Sequence, residues 1–128
     1  MKVSRFLVAA GLALASQLSL AAAPKAFTQA EFDALTRAGK PIIVDVSAVW
    51  CPTCKAQKPI IERLAVQAAY RDVAVLSVDF DADKKVLKEF GVGSQSTLIA
   101  FKAGREAARS VGDTSPAGIE RLFQKAGQ

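Results

Sequence analysis

Two cysteines, Cys51 and Cys54, stand where a short β-branched run gives way to a long helical pattern. The run over residues 42–46 reads Ile-Ile-Val-Asp-Val and lies between residues that interrupt secondary structure, which is typical of a strand covered on both faces. From residue 51 to about residue 70, apolar residues recur at helical spacing. The sequence therefore predicts a strand–turn–helix unit with both sulfurs at the first turn of the helix, and with Asp45 as an unusual carboxyl group inside an apolar strand.

The rest of the sequence predicts alternating helices and strands. A capping box, Thr28-Gln29-Ala30-Glu31, starts the first helix, and Ser115 followed by Pro116 starts the last one. Gly104 lies in a short connection between two strands, as expected for a hairpin. In chain order, the predicted elements are helix 28–37, strand 42–46, helix 51–70, strand 73–78, helix 81–90, strands 97–102 and 106–111, and helix 115–125. This order predicts an α/β fold, with a mixed central sheet sandwiched between helices and an antiparallel hairpin at one side.

Length and composition fit one folded domain without a nucleic-acid-binding surface. The chain has 128 residues, of which 51% are hydrophobic and 23% are charged, so it can bury one apolar core. Basic residues exceed acidic residues by five, and by three when Lys2 and Arg5 are left out. The remaining Lys and Arg are interspersed with acidic residues and form no basic patch with aromatics. We therefore expect no nucleic acid among the partners.

The first 23 residues are typical of a signal peptide. Lys2 and Arg5 supply a positive start, an apolar stretch follows, and Ala21-Ala22-Ala23 is a region of small residues suited to cleavage. We therefore expect residues 1–23 to direct export to the periplasm, with cleavage near Ala21 to Ala23, and residues 24–128 to form the functional domain. The protein would then meet a membrane only through the signal peptide. An uncleaved membrane anchor is the alternative, but the stretch is shorter than the ~20 apolar residues that a spanning helix needs.

The position of the cysteines favours a redox pair over a structural role. A helix N-terminus favours thiolate over thiol, so we expect Cys51 to be the more acidic, solvent-facing nucleophile and Cys54 its shielded partner. A structural disulfide is an alternative, although a bridge that closes so short a loop restrains the unfolded chain little. A structural zinc site needs four ligands, and the sequence has no histidine and no third cysteine. We expect no metal site and no cofactor.

Residues 44–55, which read Val-Asp-Val-Ser-Ala-Val-Trp-Cys-Pro-Thr-Cys-Lys, resemble the active-site strand and helix of the thioredoxin family. Pro59 matches a proline of that helix in the family. The similarity covers essentially the whole chain after the first 23 residues and continues through Phe90-Gly91-Val92, Thr97-Leu98, Phe101-Lys102-Ala103-Gly104 and Val111-Gly112. The resemblance implies a thioredoxin-like fold and a thiol-disulfide oxidoreductase that exchanges disulfides with client proteins through Cys51 and Cys54.

The resemblance also implies roles for the neighbours of the cysteines. Asp45 matches the family's buried carboxylate behind the second cysteine, where burial would raise its pKa and let it exchange a proton with Cys54. Trp50 would pack beside Cys51 and shape the contact surface for substrates, although a plain core tryptophan is an alternative. In an exported reductase, the oxidised pair must be reset by an electron donor, and the resemblance implies a membrane protein that carries electrons across.

Two positions depart from the family pattern. Thioredoxins carry a cis-proline directly before the Thr97-Leu98 strand, and this sequence has Ser96 there, so the Gln95–Ser96 peptide bond is expected to be trans, or cis and strained. The backbone of Gln95 could still pair with a substrate as an added strand. Val75 stands where thioredoxins often have a lysine near the buried carboxylate, which would leave Asp45 more reluctant to ionise.

The serine at position 96 leaves a second function open. Without the proline ring, the sulfurs have less cover and gain a neighbouring hydroxyl oxygen, so Cys51, Cys54 and Ser96 could bind a soft ion such as Cu(I). The sequence thus predicts a periplasmic thiol-disulfide oxidoreductase that acts as a reductase. An oxidase, which runs the same exchange in reverse, is also open, because Pro52 and Thr53 differ from the dipeptides of both strongly reducing and strongly oxidising relatives. A copper or other soft-metal carrier or assembly factor, using the same cysteines, is the alternative.

Overall fold

Residues 24–128, the part of the chain that the structure describes, fold into a five-stranded mixed sheet with two helices on each face. The structure is a computed structural model. The elements are β1 (Lys25–Ala26), α1 (Gln29–Arg37), β2 (Ile42–Ser47), α2 (Pro52–Ala65), β3 (Ala74–Asp79), α3 (Lys84–Glu89), β4 (Thr97–Lys102), β5 (Arg105–Val111) and α4 (Pro116–Gly127). The signal peptide expected at residues 1–23 lies outside the described residues. Within residues 24–128, no helix is both long enough and apolar enough to cross a membrane.

The strand that precedes the cysteines lies at the centre of the sheet, whose order is β1-β3-β2-β4-β5. The pairs β1–β3 and β2–β3 are parallel, whereas β2–β4 and β4–β5 are antiparallel, and β4 with β5 forms the predicted hairpin. Val46 of β2 pairs with Thr97 of β4, which brings residue 96 next to the loop that follows β2. The predicted α/β architecture, a mixed sheet between helices, is confirmed.

Two apolar clusters hold the helices against the two faces of the sheet. On one face, α2 and α4 pack over Ile43 of β2, and on the other face α1 and α3 pack over Val44. Fully burying one such aliphatic side chain stabilises the fold by roughly 1.5–3 kcal/mol. Because successive side chains of a strand alternate between faces, Asp45 shares the face of Ile43 and lies under α2.

The sequence prediction differs from the structure at β1 and at the end of α2. β1 has two residues, which are too few to produce a recognisable strand pattern. The long helix predicted to reach about residue 70 ends at Ala65, and a single 3₁₀ turn, Ala68–Tyr70, follows. Gln67 has an extended backbone (φ −72°, ψ 141°) that interrupts the helix, while Tyr70 still packs against the ring of Phe123. The apolar spacing therefore continues although the helix does not.

Candidate active site

The two cysteines lie where β2 ends and α2 begins, as predicted. Cys51 is the N-cap residue of α2, with an extended backbone (φ −85°, ψ 112°), and its Sγ accepts the backbone N–H of Cys54 at 3.1 Å. Pro52 lies in the first turn, where its missing N–H has no helical partner to lose. A helix N-terminus carries unpaired N–H groups and about half a positive charge. Cys51 thus occupies the position at which the helix best stabilises a negative sulfur.

Cys51 is covered by neighbouring residues, so the expectation that its sulfur faces solvent is wrong. Cys51 exposes 1% of its surface and Cys54 exposes 7%, and both pack with Ala48 and Phe80. The hydroxyl of Ser96 lies against the Cys51 sulfur and forms part of the cover. Both cysteines are free thiols in the structure. This cover has to open before a substrate disulfide can reach the Cys51 sulfur.

The surroundings shift the pKa values of the two thiols in opposite directions. Burial raises the pKa of the Cys51 thiol, but hydrogen bonds from the Cys54 thiol, the Ser96 hydroxyl and two backbone N–H groups outweigh burial and bring the pKa below its ordinary value. For Cys54, burial raises the pKa, and the hydrogen bond to Cys51 and the charge on Cys51 raise it further. Cys51 is therefore the more acidic thiol of the pair, and Cys54 is the one that holds its proton more firmly.

Ser96 lies between the two sulfurs in an unusual backbone conformation. Its Oγ is 3.1 Å from the Sγ of Cys51 and 3.1 Å from the Sγ of Cys54. None of the peptide bonds among the described residues is cis, so the bond between Gln95 and Ser96 is trans. The φ angle of Ser96 is +63°, in the left-handed region that residues other than glycine rarely adopt. Surrounding contacts must hold Ser96 in this conformation.

Asp45 and Cys54 line one pocket, of about 360 Å³. Burial raises the pKa of Asp45 from 3.8 to about 6, and the positive charge of Lys58 on α2, which lines the same pocket, partly opposes the rise. Val75 is buried in the core, and the cation near Asp45 comes from α2 instead of β3. The pocket has room for water molecules that could connect the Asp45 carboxyl group with the Cys54 sulfur.

Trp50 and Gln95 lie next to the sulfurs, toward the surface. Trp50 is 54% exposed, which rules out the alternative of a core tryptophan, and its indole N–H donates to the Asp81 carboxylate at 2.7 Å. Gln95 is partly buried, and its backbone carbonyl accepts the Ser94 hydroxyl at 3.0 Å. Both positions are compatible with contact to a bound polypeptide.

The site contains two further residues that are not predicted from the sequence, Gln57 and Lys58 of α2. Gln57 is fully buried, and its Nε2 donates to the carbonyl oxygens of Ser96 at 3.2 Å and Asp113 at 2.9 Å. A signal for Gln57 exists in the sequence, since it lies on the same helix face as the core residue Ile61, where an apolar side chain is expected. Lys58 gives no such signal, because exposed lysines are ordinary on a helix.

The groups that converge here suit the transfer of electrons between thiols and disulfides. They are the acidic thiol of Cys51, the less acidic thiol of Cys54, the carboxyl group of Asp45 and the hydroxyl group of Ser96. In the described part of the chain, no group of three or more His, Cys, Asp or Glu side chains is placed to hold a metal ion. The donor atoms that meet between the helix and Ser96 are two sulfurs and one hydroxyl oxygen.

Comparison with known proteins agrees with this chemistry. A family model described as thioredoxin matches residues 23–125. The thioredoxin of Chlamydia muridarum is 40% identical over 84 residues, which cover 66% of this chain and 80% of that protein. Thioredoxin-2 of Saccharomyces cerevisiae is 40% identical over 94 residues, which cover 73% of this chain and 88% of that protein.

Solved structures agree as well. The crystal structure of Trxlp from Edwardsiella tarda EIB202 matches with a TM-score of 0.77 and 40% sequence identity, covering 79% of this chain and 98% of that one. A mutant thioredoxin from Halobacterium salinarum matches with a TM-score of 0.73 and 26% identity, covering 84% of this chain and 93% of that one. The fold, the cysteine pair at the helix N-terminus and these similarities together show that the chain belongs to the thioredoxin family of thiol-disulfide oxidoreductases.

Proposed function

We propose that this oxidoreductase is exported and works in the periplasm, where it reduces the disulfides of client proteins. Export is supported by residues 1–23, whose positive start, apolar stretch and small-residue end are typical of a cleaved signal peptide. Thiol-disulfide exchange is supported by one arrangement above all: hydrogen bonds at the helix N-terminus and from Ser96 lower the pKa of Cys51, while burial raises the pKa values of Cys54 and Asp45 behind it. This division supplies a nucleophile, a resolving thiol and a base.

Reduction begins with the Cys51 thiolate. Its sulfur attacks one sulfur of the client disulfide, a new S–S bond joins Cys51 to the client, and the other client sulfur leaves as a thiolate with the electron pair of the broken bond. Thiolate is the reactive form of cysteine, and the lowered pKa enlarges its fraction at neutral pH. The exposed Trp50 ring and the backbone of Gln95 lie close enough to contact the client during this step.

The second step uses Cys54 and Asp45. Cys54 passes its proton to the Asp45 carboxylate across the pocket that both residues line, and the resulting thiolate attacks the Cys51 sulfur. A Cys51–Cys54 disulfide forms, and the remaining client sulfur leaves as a thiolate. The client thus gains the two electrons that the cysteine pair loses. A carboxylate whose pKa is raised to about 6 is a stronger base for this transfer than an ordinary aspartate.

The oxidised pair must then be returned to the dithiol. In the periplasm we propose that a membrane protein carrying electrons across the membrane supplies them, by the same exchange run in the opposite direction. The partners of the chain are therefore of two classes, client proteins with disulfides or thiols and one membrane electron donor.

Reduction of insulin disulfides tests the reductase role. With a chemical reductant, the wild-type protein should reduce insulin, Cys51→Ser should be inactive, and Cys54→Ser should accumulate a mixed disulfide with the client.

The reduction potential of the cysteine pair tests the direction of the exchange reaction. A value of about −270 mV would indicate a thioredoxin-like reductant, whereas about −120 mV would indicate an oxidant and overturn the proposed direction.

Export is tested independently of the chemistry. The full chain is produced in a bacterial host, the periplasmic fraction is isolated, and the N-terminus of the protein is sequenced. We expect a mature N-terminus near Ala22 or Ala23, since Pro24 directly after the cleaved bond disfavours cutting after Ala23. Recovery of the protein with Met1 in the cytoplasmic fraction would contradict the proposal.

A second candidate, a soft-metal carrier, is favoured by the contact of the Ser96 oxygen with both sulfurs. Two thiolates and a neighbouring oxygen suit an ion such as Cu(I). The reduced protein would then retain Cu(I) through gel filtration and would not reduce insulin. Insulin reduction that disappears in Cys51→Ser, without retained metal in the wild type, would decide for the oxidoreductase.

A further inference from the structure

The Ser96 hydroxyl is placed to hydrogen-bond both sulfurs of the redox pair, since its Oγ lies 3.1 Å from each. A hydroxyl has one proton to donate and lone pairs with which to accept. When Cys51 is ionised, the direction of its bond to Ser96 follows, because a thiolate can only accept. The Ser96 O–H donates to the Cys51 sulfur, and the S–H of Cys54 lies within reach of both the Ser96 oxygen and the Cys51 sulfur.

Contacts from three parts of the fold hold Ser96 in this place. Its backbone N–H donates to the carbonyl of Val46 in β2 at 2.8 Å. Its carbonyl accepts the N–H of Gly112, which follows β5, at 3.0 Å and the Nε2 of Gln57 in α2 at 3.2 Å. These contacts explain how a serine persists at a φ of +63°, and with 3% of its surface exposed, Ser96 stays directed at the sulfurs.

We propose that Ser96 is a catalytic residue whose single hydroxyl proton stabilises the two thiolates of the exchange reaction in succession, first on Cys51 and then on Cys54. The proposal rests on the roles given above to the two cysteines and Asp45, but on neither the location of the protein nor the direction of the reaction.

The succession follows the movement of charge. Before attack, the negative charge is on Cys51, and the hydroxyl donates there. When the Cys51 sulfur bonds to the substrate, its charge leaves with the departing substrate thiolate, and the hydroxyl loses its acceptor. Cys54 then gives its proton to Asp45, and the hydroxyl, which lies 3.1 Å from the Cys54 sulfur in the reduced protein, can rotate to donate to the new Cys54 thiolate. Ser96 ends each step with its own proton, so no further donor or acceptor is required.

Gln57 acts on this hydroxyl as a positioning residue. Its amide reaches the carbonyl of Ser96 and also that of Asp113, so it ties the Ser96 segment to the loop before α4. The same side chain is fully buried in α2, the helix that carries Cys54. It therefore links the position of the hydroxyl to the helix on which the second sulfur sits.

Two variants remove the hydroxyl in different backbone contexts. Ser96→Ala keeps the side-chain carbon and the backbone restriction, whereas Ser96→Gly removes both and also relaxes the left-handed strain. Because the proposal concerns the hydroxyl, Ser96→Ala and Ser96→Gly should behave alike.

The first measurement is the pH dependence of Cys51 alkylation. Because a hydrogen bond to the charged sulfur stabilises the thiolate, loss of the hydroxyl should raise the pKa of Cys51 by about one unit in both Ser96→Ala and Ser96→Gly. A rise of one pKa unit is a tenfold change in the ionisation equilibrium of Cys51. Converted for a two-electron couple, this change should lower the reduction potential of the pair by about 30 mV. Gln57→Leu, which leaves the hydroxyl in place, should shift both quantities less, in the same direction.

The second measurement uses the aromatic disulfide dithionitrobenzoate, which needs no client protein. Attack by Cys51 releases one coloured thiolate, and attack by Cys54 on the mixed disulfide releases the second. In Ser96→Ala and Ser96→Gly, the second release should slow about tenfold at neutral pH relative to the wild type. Unchanged pKa and unchanged second release in both variants would overturn the proposal, as would an effect in Ser96→Gly alone, since that would assign it to backbone strain. Failure of insulin reduction with normal dithionitrobenzoate kinetics would count against the reductase role and leave the role of Ser96 standing.

Discussion

The indole N–H of Trp50 donates a hydrogen bond to the carboxylate of Asp81 at 2.7 Å, across 31 positions of the sequence. The bond fixes the ring beside Cys51 on the outer surface, where Trp50 remains 54% exposed. A large aromatic side chain that is both oriented and exposed loses little conformational freedom when a partner packs on it. Trp50 is therefore suited to hold a client protein over the cysteine pair.

Replacing this ring should weaken the reaction with protein clients and spare the chemistry. We expect Trp50→Ala to raise the KM for insulin roughly tenfold, ~1.4 kcal/mol, as for a moderate hot-spot residue. The rate with a small aromatic disulfide and the pKa of Cys51 should stay as in the wild type. Val66→Ala is the matched control, since Val66 is 65% exposed but lies at the far end of α2. An equal loss with the small disulfide would show that Trp50 acts on the sulfur rather than on the client.

The buried carboxyl group of Asp45 should make the protein less stable as pH rises. Burial raises the pKa of Asp45 from 3.8 to about 6, so the folded protein binds the proton of Asp45 more tightly than the unfolded chain does. Protonated Asp45 therefore contributes fully to the free energy of unfolding below the pKa of the unfolded state. This contribution is lost as the pH rises through the pKa of the folded state. Ionisation of Asp45 should therefore lower the free energy of unfolding of the wild type by about 3 kcal/mol between about pH 4 and about pH 7. Asp45→Asn should not show this loss.

Denaturant unfolding at a series of pH values measures the effect, with Asp72→Asn as the control because Asp72 is exposed and distant from the cysteines. The same Asp45→Asn variant should form the mixed disulfide at the normal rate but resolve it slowly, because Cys54 has lost its base. A wild-type protein whose stability does not change in this pH range would contradict the assignment of Asp45.

The charge of Lys58 should set the pH at which Asp45 becomes a base. Lys58 opposes the effect of burial on the pKa of Asp45, so Lys58→Met should raise that pKa and move the Asp45-dependent part of the pH–rate profile to higher pH. Lys102→Met, in the exposed hairpin, should leave the profile unchanged. In an Asp45→Asn background, Lys58→Met should have no further effect. A persistent shift there would mean that Lys58 acts on another group.

Most of the fold follows from local patterns in the sequence. The capping box at Thr28 predicts α1, the β-branched run at 42–46 predicts β2, and the Gly104 connection predicts the hairpin of β4 and β5. These patterns predict elements because each depends on neighbours within a few residues. The end of α2 is predicted wrongly because Tyr70 still faces the core after the helix has stopped. The spacing of apolar residues shows which residues are buried, and here the buried residues extend beyond the end of the helix.

The sequence predicts those parts of the site that are formed by residues close to one another in the chain. The pair at Cys51 and Cys54 is recognisable because its function depends on one helix start, and Asp45 is recognisable as a carboxyl group in an apolar strand. The cover over Cys51 and the bridge by Ser96 depend on the β2–β4 register, which joins segments about 45 positions apart. Lys58 gives no sequence signal, because a lysine on the outer part of a helix resembles any solvated residue.

Alkylation of the two thiols in the reduced, folded protein tests the central claim most directly, namely that Cys51 is the ionised nucleophile and Cys54 its protonated partner. A small alkylating reagent is added at a series of pH values, and each cysteine is followed separately by peptide mass spectrometry. We predict that Cys51 is modified first, with a half-maximal rate below the pH of ~8.5 that is usual for a free thiol, and that Cys54 reacts only at higher pH. Equal rates for both cysteines at every pH, or reaction of Cys54 before Cys51, would contradict the account.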